Sequence, residues 1–265
     1  MRNSFALLSL ILICSCSGYE YVSNPHYVPL NNQKNDWKIS AGKGNCQVGY
    51  FITDHITIFS TGYYRNTKGL NNWDDIFTSN NEENNGRVHR EDEIYNINLG
   101  GGYVTKLGPA IFGILGSAGF GGIDYYHTQD LVNDYKFEQF GNNYNIYIQP
   151  VIGLNVKDHF EFGFSPKFIR LTYYNLRSTL EMGDNKDDVS QDMYLAGRKR
   201  ADMYFFEPGL TLRAGGKNIK AEMQFVPAFN FADTKQIRYR DFGVFFGIYF
   251  NLGRETKAEV KNSYL

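Results

Sequence analysis

The sequence predicts an all-β protein, and more narrowly an antiparallel up-and-down transmembrane β-barrel of about ten strands. Apolar and polar residues alternate with a period of two over long stretches, as in strands with two unlike faces. Several stretches exceed the five or six residues usual in soluble sheets and are long enough to cross a bilayer at a tilt. Short turns also alternate with long polar loops, as expected where one side of a membrane carries the long loops.

The clearest strands form a hairpin within residues 143–174. In its first arm, apolar residues such as Ile146 and Ile148 alternate with polar ones, and the return arm alternates again from residue 160. The apolar face of the return arm moves by one residue near Phe168 and Ile169, which predicts a β-bulge there.

The same alternation predicts the other strands. Turns rich in Gly, Asn and Pro separate several of them. In chain order we expect these strands at residues 37–43, 46–53, 56–65, 93–106, 110–124, 201–214, 219–229 and 239–252.

The N-terminus has the pattern of an export signal. A positive charge precedes an apolar run that is too short to span a membrane, so residues 1–15 are predicted to be a secretory signal of the lipoprotein type. The segment ends in Ile13-Cys14-Ser15-Cys16, which resembles the lipobox of bacterial lipoproteins. Cys16 fits the lipidated position and Cys14 does not, because bulky Ile13 would then stand where a small residue is needed. The alternative is an ordinary signal peptide with cysteines there by chance.

The rest of the chain divides into three parts. Residues 16–36 contain two prolines and show no periodicity, so we expect an extended periplasmic linker. Residues 37–252 are expected to form the barrel, and residues 253–265 a polar C-terminal tail. The 265 residues are enough for one all-β domain.

The predicted lumen contains charges of both signs. Ten strands leave a narrow bore, and four positive side chains against three negative ones are close to balance. A selective channel would carry an excess of one sign along its bore, so this balance favours a plugged lumen over an open pore. The predicted lumen charges are Lys106, Glu161, Lys167, Glu207, Arg213, Lys220 and Glu222.

No motif in the sequence predicts an enzyme. We find no phosphate-binding Gly-rich loop, no His-Glu-x-x-His and no Cys-x-x-Cys pair, so no catalytic, cofactor-binding or metal-binding residues are assigned. The net charge of −1 offers no basic surface for nucleic acid. Cys46 has no evident partner and therefore implies no disulfide. The oligomeric state is left open.

The start of the mature chain resembles a family of uncharacterised Bacteroidota outer-membrane β-barrel proteins. This resemblance covers about the first quarter closely and the rest only as a barrel pattern, and it implies an outer-membrane location without catalytic residues. One departure is the polar tail after Leu252, where typical barrels end in an aromatic residue. The matching features are the lipobox ending at Cys16, Asn24-Pro25 to Val28-Pro29-Leu30, Lys38-Ile39-Ser40-Ala41-Gly42, and Gln47-Val48-Gly49-Tyr50 leading through Thr53-Asp54-His55 to Ile56.

Three classes of function follow from these expectations. The first is a surface interaction or structural barrel, lipid-anchored at Cys16, whose loops at residues 66–92, 125–142 and 175–200 would contact an extracellular ligand or protein. The second is a small-solute channel. The third is a soluble lipid-anchored β-barrel or sandwich, in which the apolar faces would form a core. Strand length and the alternating loop lengths favour the membrane.

Overall fold

The computed structural model describes residues 21–66, 88–129, 135–156, 159–182, 200–231 and 239–253. Among these residues no helix is long and apolar enough to cross a membrane. The strands are β1 (Tyr21–Val22), β2 (Trp37–Gly42), β3 (Asn45–Phe51), β4 (Ile56–Asn66), β5 (Val88–Leu107), β6 (Ala110–Gln129), β7 (Tyr135–Val156), β8 (Phe160–Met182), β9 (Arg200–Gly215), β10 (Ile219–Pro227), β11 (Phe229–Asn230), β12 (Tyr239–Arg240) and β13 (Phe242–Leu252).

Ten of these strands form a closed antiparallel barrel, which confirms the predicted fold class. Each strand from β2 to β9 pairs with the next one in the chain, so that β9 pairs with β10. β13 then pairs with both β10 and β2 and closes the sheet. The short strands β11 and β12 continue β10 and β13, and β12 pairs in parallel with β1. Passage of this barrel through a membrane stays a prediction.

The two ends of the barrel differ in their connections. The turn end carries the short connections at residues 52–55, 108–109 and 216–218, and the loop end carries the longer ones. The first connection, residues 43–44, is short and nevertheless lies at the loop end. Gly44 and Gly108 adopt φ angles of 72° and 62°, which a glycine tolerates without steric cost in a tight turn.

The middle strands extend further toward the loop end than the sequence pattern indicated. β7 begins at Tyr135 rather than at residue 143, and β8 ends at Met182 rather than at residue 174. β5 and β6 are extended in the same way. The predicted loops were therefore too long, because both faces of these strand ends are rich in polar residues and the alternation fades. The remainder of each loop lies outside the described residues.

Apolar side chains cover the outside of the barrel. Leu99 is 71% exposed and Phe246 is 65% exposed, and the predicted apolar face of β7 also points outward. The predicted polar faces point inward and are largely buried. The soluble alternative required the apolar faces to form a core, which is wrong for the described strands.

The predicted β-bulge near Phe168 is also wrong. β8 pairs with β9 in one unbroken register through Phe168 and Ile169. Its irregular pairing with β7 lies further along, where the step from Phe140 to Asn142 on β7 faces the step from Arg177 to Tyr174 on β8, so β8 has one extra residue there. Phe168 points outward while Ile169 is buried inside. What changes along β8 is therefore the chemistry of the inward face, which becomes apolar toward the loop end.

Candidate functional site

The lumen is occupied by the N-terminal segment of the chain, residues 21–30, which we call the plug. It enters at the loop end, where Tyr21 pairs with Tyr239, and continues to the turn end, where Asp36 precedes β2. All plug side chains except Asn24 are buried. The prediction of a linker outside the barrel is therefore corrected for these residues, since they lie inside it.

Barrel side chains bind the main chain of the plug. The amide of Gln224 accepts a hydrogen bond from the His26 N–H (2.8 Å) and donates one to the His26 carbonyl (2.9 Å). Buried peptide groups need such partners, and apart from β1 no plug residue pairs with a strand in the described part of the chain. Four further carbonyls accept in the same way: Asn24 from Lys167 (3.4 Å), Tyr27 from Gln149 (2.8 Å), Val28 from Arg213 (2.8 Å) and Leu30 from Asn155 (3.5 Å).

Glycines in the barrel wall make room for the plug side chains. A Cβ atom at Gly209 would collide with the imidazole of His26. A Cβ atom at Gly153 would collide in the same way with the side chain of Leu30. Both glycines lie at inward-facing positions and are buried. The wall is therefore shaped to the plug as well as hydrogen-bonded to it.

Arg213 is the centre of a charged cluster near the turn end. Its guanidinium forms ion pairs with Glu222 and with Glu161, the latter at 3.3 Å, and its Cζ atom lies 3.8 Å from the ring centroid of Tyr249. Lys220 donates to the other oxygen of Glu161. Three adjacent strands, β8, β9 and β10, contribute these groups. Together they satisfy one another's charges in an interior from which water is largely excluded.

Glu207 is the centre of a second cluster, which joins the barrel to the plug. It forms an ion pair with Lys167 on the neighbouring strand at 2.6 Å. It also accepts a hydrogen bond from the hydroxyl of Tyr21 at 2.6 Å, and the Nε2 atom of His26 lies 3.4 Å away. The Nδ1 atom of His26 lies 2.8 Å from the hydroxyl oxygen of Ser165. Two of the groups around Glu207 therefore belong to the plug.

The predicted lumen charges lie mostly in these two clusters. Glu161, Lys167, Glu207, Arg213, Lys220 and Glu222 are all buried. The prediction that Lys106 lies in the lumen is wrong. Lys106 is exposed near the end of β5, where its long side chain reaches solvent beside the turn.

Sequence reasoning missed the buried ion pair of Lys38 and Asp36, whose charged atoms lie 2.9 Å apart. It also missed that His26 lies beside Glu207 in the second cluster. Among the described residues the buried charges balance, apart from His26. The cations are Lys38, Lys167, Arg213 and Lys220, and the carboxylates are Asp36, Glu161, Glu207 and Glu222.

Toward the loop end many lumen side chains are apolar, although Asn96 and Asn143 are buried at the same level. The ring of Tyr21 stacks on Phe205 with centroids 4.0 Å apart, and Leu171 and Met203 pack in the same buried cluster. The predicted bulge concealed this layer, because residues such as Ile169 were assigned to the outer face. The plug thus crosses an apolar layer and then a charged one.

The inward side chains hold a peptide segment. Within the described ranges, no three His, Cys, Asp or Glu side chains are grouped as a metal ion would require. The carboxylates of the two clusters are engaged by cationic or hydroxyl groups. The inward side chains therefore fix the plug in place.

The fold and the lumen define a class of protein: a closed ten-stranded antiparallel barrel filled by its own N-terminal segment. A scan against protein-family models finds no match for this chain, and a search of curated proteins finds none either. The resemblance to Bacteroidota outer-membrane barrels therefore stays an expectation from the sequence.

Proposed function

We propose that this chain is an outer-membrane β-barrel lipoprotein with a sealed lumen, which acts at the cell surface as an interaction or structural barrel. The observation that carries the proposal is the distribution of side chains. Large apolar residues cover the outside and buried charges fill the inside, which is the reverse of a water-soluble protein.

The height of the apolar band supports a membrane location. On β8 the outward residues are apolar from Phe160 to Phe168, and the next outward residue is Arg170. These nine residues of strand rise about 30 Å along the strand, or about 23 Å along the barrel axis at a tilt near 40°. The apolar band of outer-membrane barrels is about 25 Å tall. The band on β8 therefore matches a bilayer.

The plug supports an interaction or structural role over a channel. It occupies the lumen from the loop end to the turn end, and its carbonyls are hydrogen-bonded to the wall. A solute would have to displace these bonds together with the ion pairs around Arg213. Surface contacts would then involve the loop end, including the parts of the predicted ligand-binding loops that lie outside the described residues.

The direction of the plug bears on the proposed lipid anchor. Tyr21 lies at the loop end, and Cys16 precedes it by five residues, which span at most about 18 Å of extended chain. If the short turns face the periplasm, a lipid on Cys16 belongs to the outer leaflet. This modifies the expected periplasmic linker at residues 16–36.

The first test separates an integral barrel from a protein held only by its lipid. Outer membranes containing Cys16→Ala are washed with carbonate, and the protein is run on gels with and without boiling. Retention with heat-modifiable migration is expected. Release into the wash would contradict a membrane-spanning barrel.

Metabolic labelling with palmitate tests the lipid itself. Cys16→Ala should abolish incorporation, whereas the neighbouring Cys14→Ala and the exposed barrel residue Cys46→Ala should leave it intact. Label that persists in Cys16→Ala would refute the assignment.

The position of the anchor is tested with an epitope inserted after Gly18. Antibody should label it on intact cells. Labelling that requires permeabilised cells would place this segment on the periplasmic side.

Planar-bilayer recordings test the channel alternative. The intact protein should give no conductance steps. Regular steps that persist in the purified barrel would favour a small-solute channel and contradict the sealed lumen.

A further inference from the structure

A cluster of charged side chains lies on the outer surface where the apolar band of β8 and β9 ends. We call it the rim cluster, and it consists of Arg170, Arg200 and Asp202. Asp202 lies 3.3 Å from the guanidinium of Arg170 and 3.4 Å from that of Arg200. The hydroxyl of Thr172 donates to the same carboxylate at 2.5 Å. Asp202 therefore positions two guanidinium groups side by side.

Among the described residues, the rim cluster has one more positive than negative charge, because two guanidinium groups share a single carboxylate. Both arginine side chains are partly exposed, at 41% and 56%. Arg200 also donates to the hydroxyl of Tyr144. Both guanidinium groups are therefore held in place by described residues while part of each stays exposed at the outer surface.

An apolar groove of about 430 Å³ begins beside the rim cluster. Arg170 forms part of its edge, and the groove extends down the outer surface toward the turn end. Its outer walls are formed by Ile146, Ile148, Phe168, Tyr204 and Phe231. An apolar groove with cationic donors at one end has the shape and polarity of a site for an amphiphile.

We propose that the rim cluster and this groove bind a phosphate-bearing lipid of the surrounding membrane. The phosphate lies on Arg170 and Arg200, and one acyl chain lies in the groove. Guanidinium groups bind phosphate through parallel charged hydrogen bonds, which matches two arginines held by one carboxylate. An anionic headgroup also offsets the cost of a positive charge on the lipid-facing side of a barrel. This inference rests on the proposed membrane location.

The site is tested by native mass spectrometry of the purified full-length barrel with dioleoylphosphatidylglycerol or dioleoylphosphatidylcholine. The wild-type protein should retain the anionic lipid about tenfold better, as expected for a charge-assisted contact. In the double variant Arg170→Gln with Arg200→Gln, the ratio of anionic to neutral lipid retained should fall close to one. A matched removal of two exposed cations, Lys43→Gln with Lys106→Gln, should leave it unchanged.

A second variant tests the groove. Ile148→Trp fills the groove without touching the arginines, and it should weaken retention of the anionic lipid while water-soluble glycerol phosphate still fails to bind. Equal binding of glycerol phosphate and the lipid would mean a free-phosphate site and overturn the proposal, as would unchanged lipid retention in Ile148→Trp.

Failure of this site is distinguishable from failure of the proposed function. Each variant is first checked for retention in washed membranes and for heat-modifiable migration. An integral, heat-modifiable barrel without preference for the anionic lipid overturns the lipid site alone. A protein that is lost from washed membranes overturns the proposed function.

Discussion

The two halves of the lumen hold the same plug by different means. Toward the turn end, the plug is held by directed bonds from Arg213, Gln149 and Gln224. Toward the loop end, Tyr21 and Val22 are packed among apolar side chains. Directed bonds fix which plug residue faces which wall residue, whereas apolar packing mainly removes surface from water. The charged half therefore sets the register of the plug and the apolar half adds burial.

The largest effect is expected in the charged half. Arg213→Ala leaves Glu161 and Glu222 buried without their shared cation and removes the donor to the carbonyl of Val28. Breaking a buried ion-pair network in this way should lower the free energy of unfolding by about 3–5 kcal/mol. Guanidinium unfolding in detergent, followed by circular dichroism, measures it. The exposed Lys217→Ala is the control, and an equal small effect of both would contradict the role of the cluster.

A core truncation in the apolar half should cost somewhat less. Met203 is 1% exposed, and Met203→Ala should lower the free energy of unfolding by about 2–4 kcal/mol through lost contacts and the cavity left behind. Met223 lies on the outer surface and provides the same substitution as a control. If Met223→Ala is the more damaging change, the apolar layer does not contribute as a core.

The fit between wall and plug is tested by adding one carbon atom. Gly209→Ala places a methyl group against His26, which should displace the plug and lower the free energy of unfolding by about 1–3 kcal/mol. Limited proteolysis should then cleave within residues 21–30, which the wild-type barrel protects. Gly116→Ala meets only ordinary contact distances and serves as the control. Continued protection in Gly209→Ala would refute this fit.

The smallest effect is expected where the two halves meet. Tyr21→Phe keeps the ring on Phe205 but removes the hydroxyl that donates to Glu207. The loss should be about 1.5–2 kcal/mol, at the low end for a hydrogen bond to a charged group, because Glu207 keeps its ion pair with Lys167. Tyr27→Phe removes a weaker, neutral contact to Thr57 at 3.3 Å and should cost less. The reverse order would contradict the assignment of Tyr21 to the charged cluster.

The barrel wall could largely be predicted from sequence. Each strand between the turn end and the rim cluster has an apolar outward face and a largely polar inward face, so its residues alternate. This is why inward charges such as Glu161 and Arg213 could be assigned to the lumen. Beyond the rim cluster, toward the loop end, both faces of the strands are rich in polar residues and the alternation is lost. The predicted start of β7 and the predicted end of β8 therefore stopped short of the loop end.

The plug could not be predicted from periodicity. Most of its length has no neighbouring strand, and side chains such as Gln149 that bind its carbonyls leave no pattern in the plug's own sequence. One signal was available in the wall, where inward positions of several strands are glycine, including Gly153 and Gly209. The apolar layer was missed for a related reason, because apolar residues on both faces of β8 were interpreted as a change of register.

The plug is covalently continuous with β2 at the turn end, so it can leave the lumen only lengthwise, through the loop end. The seam between β13 and β2 joins the two ends of the barrel sheet. If Cys16 carries the proposed lipid, its bulky acyl group would not pass through a finished barrel. Lipidation would then come first, the sheet would curl around the anchored segment, and the seam would close last.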